Sequence, residues 1–388
     1  MNNSIIAAKL RDQLVGFLGR ISPRFHKPTA RFVGDMVYGL VARGDVKLSS
    51  VVRALDEKTS PKKVEDRLSR MLSSEGLAAG LHDAIAAEGA RKIRKDTIVV
   101  IDPSDVQKPY AHKMEYLAKV WDGSRGDVGE NLGYHGCMAV ACESGGRRPV
   151  PLHLRLWSAG APGFKSENAL DFIVRLKERY VRSWRRDVMC GELAWQCAMR
   201  YREVVKFDSH GREKKVTIEF GVVPVRLPDI PERLLHMVVV RGFGKAPMML
   251  LTTLAETTTR EALWQVVHGY MTRWRVEDTI RHVKQAYNLE DVRLYKYEKL
   301  RNMAAIVLAA AYFSMAWIGN SDKHAIIAES VARMSLRIHD VPEFHFYAIA
   351  DGARSILSRS GKWRGIDDGA KDASYECDLF ELFARNTG

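Results

Sequence analysis

Hydrophobic positions recur at helical spacing over the first 95 residues. Leu14, Phe17 and Leu18 are three and four positions apart, and the same intervals return further along this segment. Apolar residues at these intervals form one stripe on an α-helix. Pro23 and Pro28 interrupt the pattern, so we expect one helix to end and another to begin there. The amino-terminal part of the chain is therefore predicted to be helical.

Two short helices are predicted between residues 47 and 72. Ser60 is placed to cap the second helix, and Pro61 suits its first position. Such a pair is typical of a helix-turn-helix unit, in which the second helix contacts DNA. An ordinary helical hairpin with a solvated basic face is an equally good interpretation. The basic residues on or near the second helix are Lys62, Lys63, Arg67 and Arg70.

Short apolar runs replace the helical spacing from residue 96 onward. Asp96–Asp102 is rich in β-branched residues, and Gly145 and Gly146 separate two further runs, which indicates a hairpin. Residues 166–184 return to helical spacing. Four strand-like runs follow, then a helical region, and finally a tail that we predict to be helical and peripheral. In order, these segments are 201–207, 214–227, 234–243, 248–254, 259–316 and 320–388.

One apolar stretch, Met303–Gly319, is long enough to be mistaken for a membrane span. Its 17 residues are at the short limit for crossing a bilayer, and charged segments flank it on both sides. We therefore predict a buried core helix and no membrane association. The amino terminus carries Lys9, Arg11 and Asp12, so we expect no signal peptide.

The composition favours a large globular protein with a polyanionic partner. The chain has 388 residues, with 60 Lys and Arg against 47 Asp and Glu, which gives a formal charge of +13. This excess favours nucleic acid as the partner, and the length favours two or three domains. The five cysteines include no C-x-x-C pair, which argues against a zinc site and a disulfide framework and fits a reducing cytosol.

Two segments contain candidate catalytic residues. Asp102 ends the first predicted strand, where its carboxylate could hold Mg²⁺, although Asp followed by Pro is also a common turn. Tyr270, Arg273, Glu277 and Lys284 are spaced so that all four project from nearly one face of a helix. That face could bind phosphate and metal, or it could be an exposed face with an Arg273–Glu277 ion pair.

The pattern Tyr270-x2-Arg273-x3-Glu277-x6-Lys284 resembles the YREK signature of DDE-type insertion-sequence transposases. The resemblance extends to the segment 101–124, which is similar to the first-aspartate segment of that family. It also includes the amino-terminal helices and the strands before residue 254, and so covers most of residues 1–320.

The resemblance implies an α/β fold with an RNase H-like mixed sheet, a β-rich insertion at about 190–260, and three acids that hold two Mg²⁺ ions, with Mn²⁺ as a substitute. Asp102 would be the first acid and Glu277 the third. Tyr270, Arg273 and Lys284 would contact transposon-end DNA. The implied domains are a helical DNA-binding domain (1–95), the catalytic domain (96–319) and a helical carboxyl-terminal region (320–388).

The second aspartate of the family pattern is missing from its expected place. No apolar strand ending in Asp-Arg-Gly occurs between residues 158 and 200, as if about one strand and one helix had been deleted. Asp171, Asp187 and Glu192 are the nearest acids, and none follows a convincing strand. Loss of a core strand would also expose an edge of the sheet or force the strands to pair differently.

The resemblance thus implies a bacterial, cytoplasmic, nucleoid-associated DNA transposase. It would act as a homodimer on double-stranded transposon ends and target DNA, with Mg²⁺-dependent hydrolysis and strand transfer at terminal inverted repeats. Two alternatives stay open. One is a catalytically inactive, transposase-derived DNA-binding protein or repressor, and the other is an RNase H-like nuclease unrelated to transposition, which would leave the YREK match unexplained.

Overall fold

The computed structural model divides the chain into two compact units. The first comprises Met1–Glu143, Arg148–Ser166 and Val276–Gly388, and the second comprises Ser144–Arg147 and Glu167–Arg275. The domain boundaries predicted from the sequence, after residues 95 and 319, stay predictions. The described residues are 3–94, 97–108, 110–111, 113–120, 131–143, 147–162, 180–183, 186–209, 212–228, 230–253, 259–335, 345–359, 363 and 365.

The amino-terminal part of the first unit is helical, which confirms the prediction from hydrophobic spacing. Pro23 lies in a short 3₁₀ turn and Pro28 in the first turn of the next helix, where a missing N–H breaks no intrahelical bond. Ser60 occupies the N-cap position before Pro61, but its side chain makes no capping hydrogen bond. The helices are α1 (Asn3–Ile21), α2 (Lys27–Arg43), α3 (Leu48–Leu55), α4 (Pro61–Met71) and α5 (Leu77–Ala90).

The first unit also contains an antiparallel sheet. Its strands are β1 (Ile98–Gln107), β2 (Ala118–Lys119), β3 (Leu132–Glu143) and β4 (Arg147–Trp157). Strand β3 pairs with β1, β2 and β4, which confirms the predicted hairpin of β3 and β4. Among the described residues β1 has β3 as its only strand partner, so β1 forms an edge of this sheet.

Strand β1 does not end at Asp102, and that part of the prediction is wrong. It continues to Gln107, and Asp102 lies mid-strand opposite Met138. An edge strand tolerates Pro103 because one side of its backbone needs no ladder hydrogen bonds. The side chain of Asp102 is 9% exposed, so its carboxylate is buried and does not lie at a solvent-facing strand tip.

The apolar stretch near residue 303 forms the central helix of the first unit. Helix α8 (Tyr297–Tyr312) continues into a π-helical segment, Phe313–Gly319. Among the described residues, the combined helix is the one long and apolar enough to span a membrane, and 89% of its apolar window is buried. Its side chains belong to the main hydrophobic core, which confirms the prediction of a core helix.

The described part of the tail contributes to the same core, so the prediction of a peripheral tail is wrong there, while residues 366–388 lie outside the described residues. It forms α9 (Ala325–Ala332) and α10 (His345–Arg359). Helix α10 buries Ile349 and Ile356 on its apolar stripe. Beyond it, the indole of Trp363 stacks on the ring of Tyr38 with 4.3 Å between ring centroids. This segment packs in the core because α10 has an apolar stripe and Trp363 buries its ring.

The second unit is built around an antiparallel sheet with the strand order β10-β9-β8-β5-β6, in which β7 also pairs with β8. The four strands predicted between residues 201 and 254 are confirmed. The helix predicted over residues 166–184 is wrong at its end, because 180–183 form a strand in which the fully buried Val181 pairs with Val188. Residues 166–179 lie outside the described residues. The elements are β5 (Tyr180–Ser183), β6 (Arg186–Met189), α6 (Cys190–Gln196), β7 (Tyr201–Ser209), β8 (Arg212–Leu227), β9 (Ile230–Arg241) and β10 (Met248–Thr252).

Helix α7 (Arg260–Ala286) carries the predicted YREK residues. Its residues up to 275 belong to the second unit, and those from 276 belong to the first. A 3₁₀ turn at Leu289–Asp291 follows, so the single helical region predicted over 259–316 is interrupted before α8 begins.

Candidate active site

Asp102 and Glu277 line the same pocket in the first unit. The pocket has a volume of about 330 Å³. One wall is formed by residues 102–104 of β1, and another by the carboxyl-terminal part of α7. Glu290, from the 3₁₀ turn after α7, completes the lining. Two acids that are far apart in sequence are therefore brought to one cavity.

Asp102 and Glu277 differ in their surroundings. Asp102 lies on the buried side of β1, in alternation with Val100 and Val106. The pKa of the neighbouring Cys137 thiol is raised to about 11 by burial and by the negative charge of Asp102. Glu277 is exposed on α7. The pocket thus combines a carboxylate that the sheet holds in place with one that solvent can reach.

Lys284 also lines this pocket, and two acidic residues hold its ammonium group. Its Nζ lies 3.0 Å from Oε1 of Glu290 and 3.7 Å from Oδ1 of Asp105. The other oxygen of Asp105, Oδ2, is buried and has no hydrogen-bond partner among the described residues. The predicted DNA-contacting lysine is therefore anchored at the site by these two carboxylates.

Sequence reasoning missed Asp105 and Glu290. Asp105 lies three residues after Asp102 in the same quoted segment, and this proximity is a signal that could have singled it out. Glu290 carries no such signal, because its place in the pocket depends on the 3₁₀ turn that follows α7. Ser104 and Gln285 line the pocket as well.

Tyr270 and Arg273 lie on the part of α7 that belongs to the second unit. The guanidinium carbon of Arg273 lies 5.3 Å from the centre of the Tyr270 ring, in cation–π contact. Both side chains are half-buried. Of the residues predicted to carry chemistry, the pocket in the first unit contains Asp102, Glu277 and Lys284.

The basic residues of α4 have different partners. Lys62 is well exposed and pairs with Asp66 at 3.1 Å. The guanidinium of Arg67 binds Glu57 and lies 3.5 Å from the buried Asp35. Burial raises the pKa of Asp35 to about 6, against the opposing effects of a hydrogen bond from Trp363 and the charge of Arg67. Arg67 therefore has a structural partner, while DNA contact by this helix stays a prediction.

Of the three acids considered for the second position, the two within the described residues, Asp187 and Glu192, do not line the pocket. Asp171 lies outside the described residues. Asp187 is in the second unit, where it accepts a 2.9 Å hydrogen bond from Arg182, and Glu192 accepts one from Gln196 in the same unit. Among the described residues no three His, Cys, Asp or Glu side chains form a group that could hold a metal ion. The pair Asp102 and Glu277 supplies carboxylate oxygens, which are the ligands that Mg²⁺ prefers.

Comparison with known families gives a match over the part of the chain that contains α7. The family model of the transposase DDE domain matches residues 165–313. This part of the chain is similar to a DDE-type transposase domain. The match includes α7 with all four YREK residues, and it confirms the resemblance seen in the sequence. No curated protein matches the chain. Asp102 lies before the matched residues, and it lines the same pocket as Glu277.

Proposed function

We propose that this protein is an insertion-sequence transposase that hydrolyses DNA at terminal inverted repeats and transfers the freed strand to target DNA. The observation that carries the proposal is the common pocket of Asp102 and Glu277. Two carboxylates from distant parts of the chain converge there beside a lysine. Such an arrangement suits a site where a phosphodiester is held and attacked.

Asp102 and Glu277 are the residues that would hold the metal, Mg²⁺ or Mn²⁺. When bound, the metal would activate water or a 3′-hydroxyl group and stabilise charge at phosphorus. Strand β1 fixes Asp102 through its ladder with β3. Glu277 is exposed and accessible to DNA. The ammonium group of Lys284 offsets the negative charge of Glu290 and Asp105 beside the same pocket.

The partner we propose is double-stranded DNA, both transposon ends and target. The formal charge of +13 favours association with a polyanion. Tyr270, Arg273, Lys284 and the basic residues of α4 are the proposed DNA contacts. We further propose that two copies act together in a synaptic complex, in the bacterial cytoplasm at the nucleoid.

A cleavage assay tests this function. Purified protein is mixed with labelled DNA carrying the flanking inverted repeats, with and without Mg²⁺ or Mn²⁺, beside DNA of the same length that lacks the repeats. We expect metal-dependent nicking at the element end only. Cutting of both DNAs would indicate a nuclease unrelated to transposition. Specific binding with no cleavage in either metal would indicate a transposase-derived DNA-binding protein.

A further inference from the structure

A second, larger cavity adjoins the candidate active site in the first unit. Its volume is about 820 Å³. One wall comprises residues 290–295, and the other comprises Gln107, Lys108, Tyr110, Ala111, Lys113 and Met114. Glu290 lines both cavities, so the two are neighbours. The catalytic proposal uses no other residue of this second cavity.

Two exposed tyrosines flank the cavity. The side chain of Tyr110 is 93% exposed and that of Tyr295 is 61% exposed. An aromatic ring left this open to water contributes little to folding. Exposed aromatic rings beside basic residues are the elements with which proteins bind unpaired nucleotides, because every base can stack on such a ring.

The charge of the cavity is complementary to a phosphate backbone. Its acidic members already have partners, since Glu290 pairs with Lys284 and Asp291 pairs with Lys47 at 2.8 Å. Lys113 and Arg293 are exposed and form no ion pair with the described residues. These two cations are therefore available to an anionic ligand.

The two walls are held together by hydrogen bonds, so the cavity has a fixed shape. The ammonium group of Lys108 donates to the carbonyl oxygens of Glu290 and Val292, the latter at 2.7 Å. The backbone N–H of Glu115 donates to the carbonyl oxygen of Tyr295 at 2.9 Å. The Glu115 carboxylate in turn accepts from the backbone N–H of Tyr297 at 2.9 Å, at the start of α8. A preformed site of this kind loses little entropy when a ligand binds.

We propose that this cavity binds an unpaired nucleotide of the DNA strand, with its base stacked on Tyr110 or Tyr295 and its phosphates on Lys113 and Arg293. The proposal deepens the proposed function and depends on it for the source of the strand. Along β1, Gln107 is five residues from Asp102, which is about 17 Å. That distance is about the rise of five base pairs in duplex DNA. The bound nucleotide is thus expected about five positions from the cleaved bond.

The test measures the binding of fluorescein-labelled oligothymidine without metal, so that no cleavage is involved. Tyr110→Leu and Tyr295→Leu should each weaken binding about fivefold or more, while Tyr110→Phe and Tyr295→Phe should bind like the parent protein. Lys113→Gln and Arg293→Gln should reduce the dependence of binding on salt. Ile326→Ala, which alters an exposed apolar residue of α9, is the matched control.

Equal binding by the parent protein and both leucine variants would overturn the proposal. So would binding of an acidic peptide by the parent protein with no binding of oligothymidine. Because this measurement needs neither metal nor inverted repeats, its outcome is independent of the cleavage assay. A protein that binds oligothymidine through the tyrosines but cuts no DNA would retain this site and lose only the proposed transposase activity.

Discussion

Lys284 and Glu290 form an ion pair of 3.0 Å across the turn that follows α7. The same ammonium group lies 3.7 Å from Asp105 on β1. The fourth residue of the YREK pattern therefore links α7, the 3₁₀ turn and the edge strand of the sheet. In this protein Lys284 has a structural role at the pocket in addition to the proposed contact with DNA.

Replacement of Lys284 by Met should lower the free energy of unfolding by about 1–2 kcal/mol, because Asp105, with one buried oxygen already unpartnered, would lose its cation. Urea unfolding followed by circular dichroism measures the change. Arg333→Gln is the control, since it removes an exposed ion pair with Glu329 and should cost less than about 0.5 kcal/mol. Equal stability of Lys284→Met and the parent protein would contradict the anchoring role.

The free energy of unfolding should fall as the pH falls below about 6.5. Burial lowers the pKa of His282 to about 3 and that of His82 to about 4, the latter helped by the charge of His153. At pH values between these lowered pKa values and the ordinary histidine pKa of 6.5, the unfolded chain binds more protons than the folded chain, so acid favours unfolding. Asp35 has the opposite effect on the free energy of unfolding between pH 3.8 and about pH 6. Because its pKa is raised in the folded state, the folded chain binds the extra proton there.

His282→Phe isolates one of these contributions. The ring of His282 contacts Tyr347 and Phe346, and neither of its nitrogens has a hydrogen-bond partner among the described residues. A phenyl ring in this position cannot take up a proton. Below pH 6.5 the free energy of unfolding of the variant should depend less steeply on pH than that of the parent protein, by up to about 1.4 kcal/mol per pH unit. Chemical unfolding at several pH values measures the slope, and the exposed His26→Gln is the control. An unchanged slope would contradict the assignment.

Gly352 permits the close approach of α10 to α9. A Cβ built on Gly352 would lie 1.8 Å from the carbonyl oxygen of Val331, which belongs to the backbone and cannot move aside alone. Gly352→Ala should therefore lower the free energy of unfolding by about 1–3 kcal/mol. Gly19→Ala, in α1 with no neighbour within 4 Å, should instead stabilise the protein by about 0.5–1 kcal/mol. Thermal unfolding of the two variants would show shifts of opposite sign.

Much of the fold could be predicted from the sequence, because long periodic segments retain their pattern in the structure. The helices α1 to α5 and the strands β7 to β10 are examples. The end of β1 was missed because an Asp-Pro pair resembles a turn, whereas an edge strand accepts Pro103. The strand at 180–183 was missed because Val181 suits a helical stripe as well as a buried strand, and its pairing with Val188 decides between them.

The candidate site was predictable only in part. Residue type and spacing singled out Asp102, Glu277 and Lys284, the family resemblance supplied their expected roles, and all three line the pocket. Glu290 could not be found in this way, because its position depends on how the chain turns after α7. Among the described residues β1 is an edge strand, while the deletion inferred between residues 158 and 200 stays a prediction.

The central claim is that Asp102 and Glu277 together form the catalytic centre. The most direct test compares cleavage of inverted-repeat DNA by the parent protein, Glu277→Gln and Asp102→Asn, with DNA binding measured in parallel. Asp278→Asn is the matched control, because Asp278 is the adjacent exposed acid on α7 and pairs with Arg281. The account predicts that both site variants lose cleavage while binding DNA nearly as well as the parent protein, and that Asp278→Asn still cleaves. Cleavage by Glu277→Gln at the parental rate would contradict it.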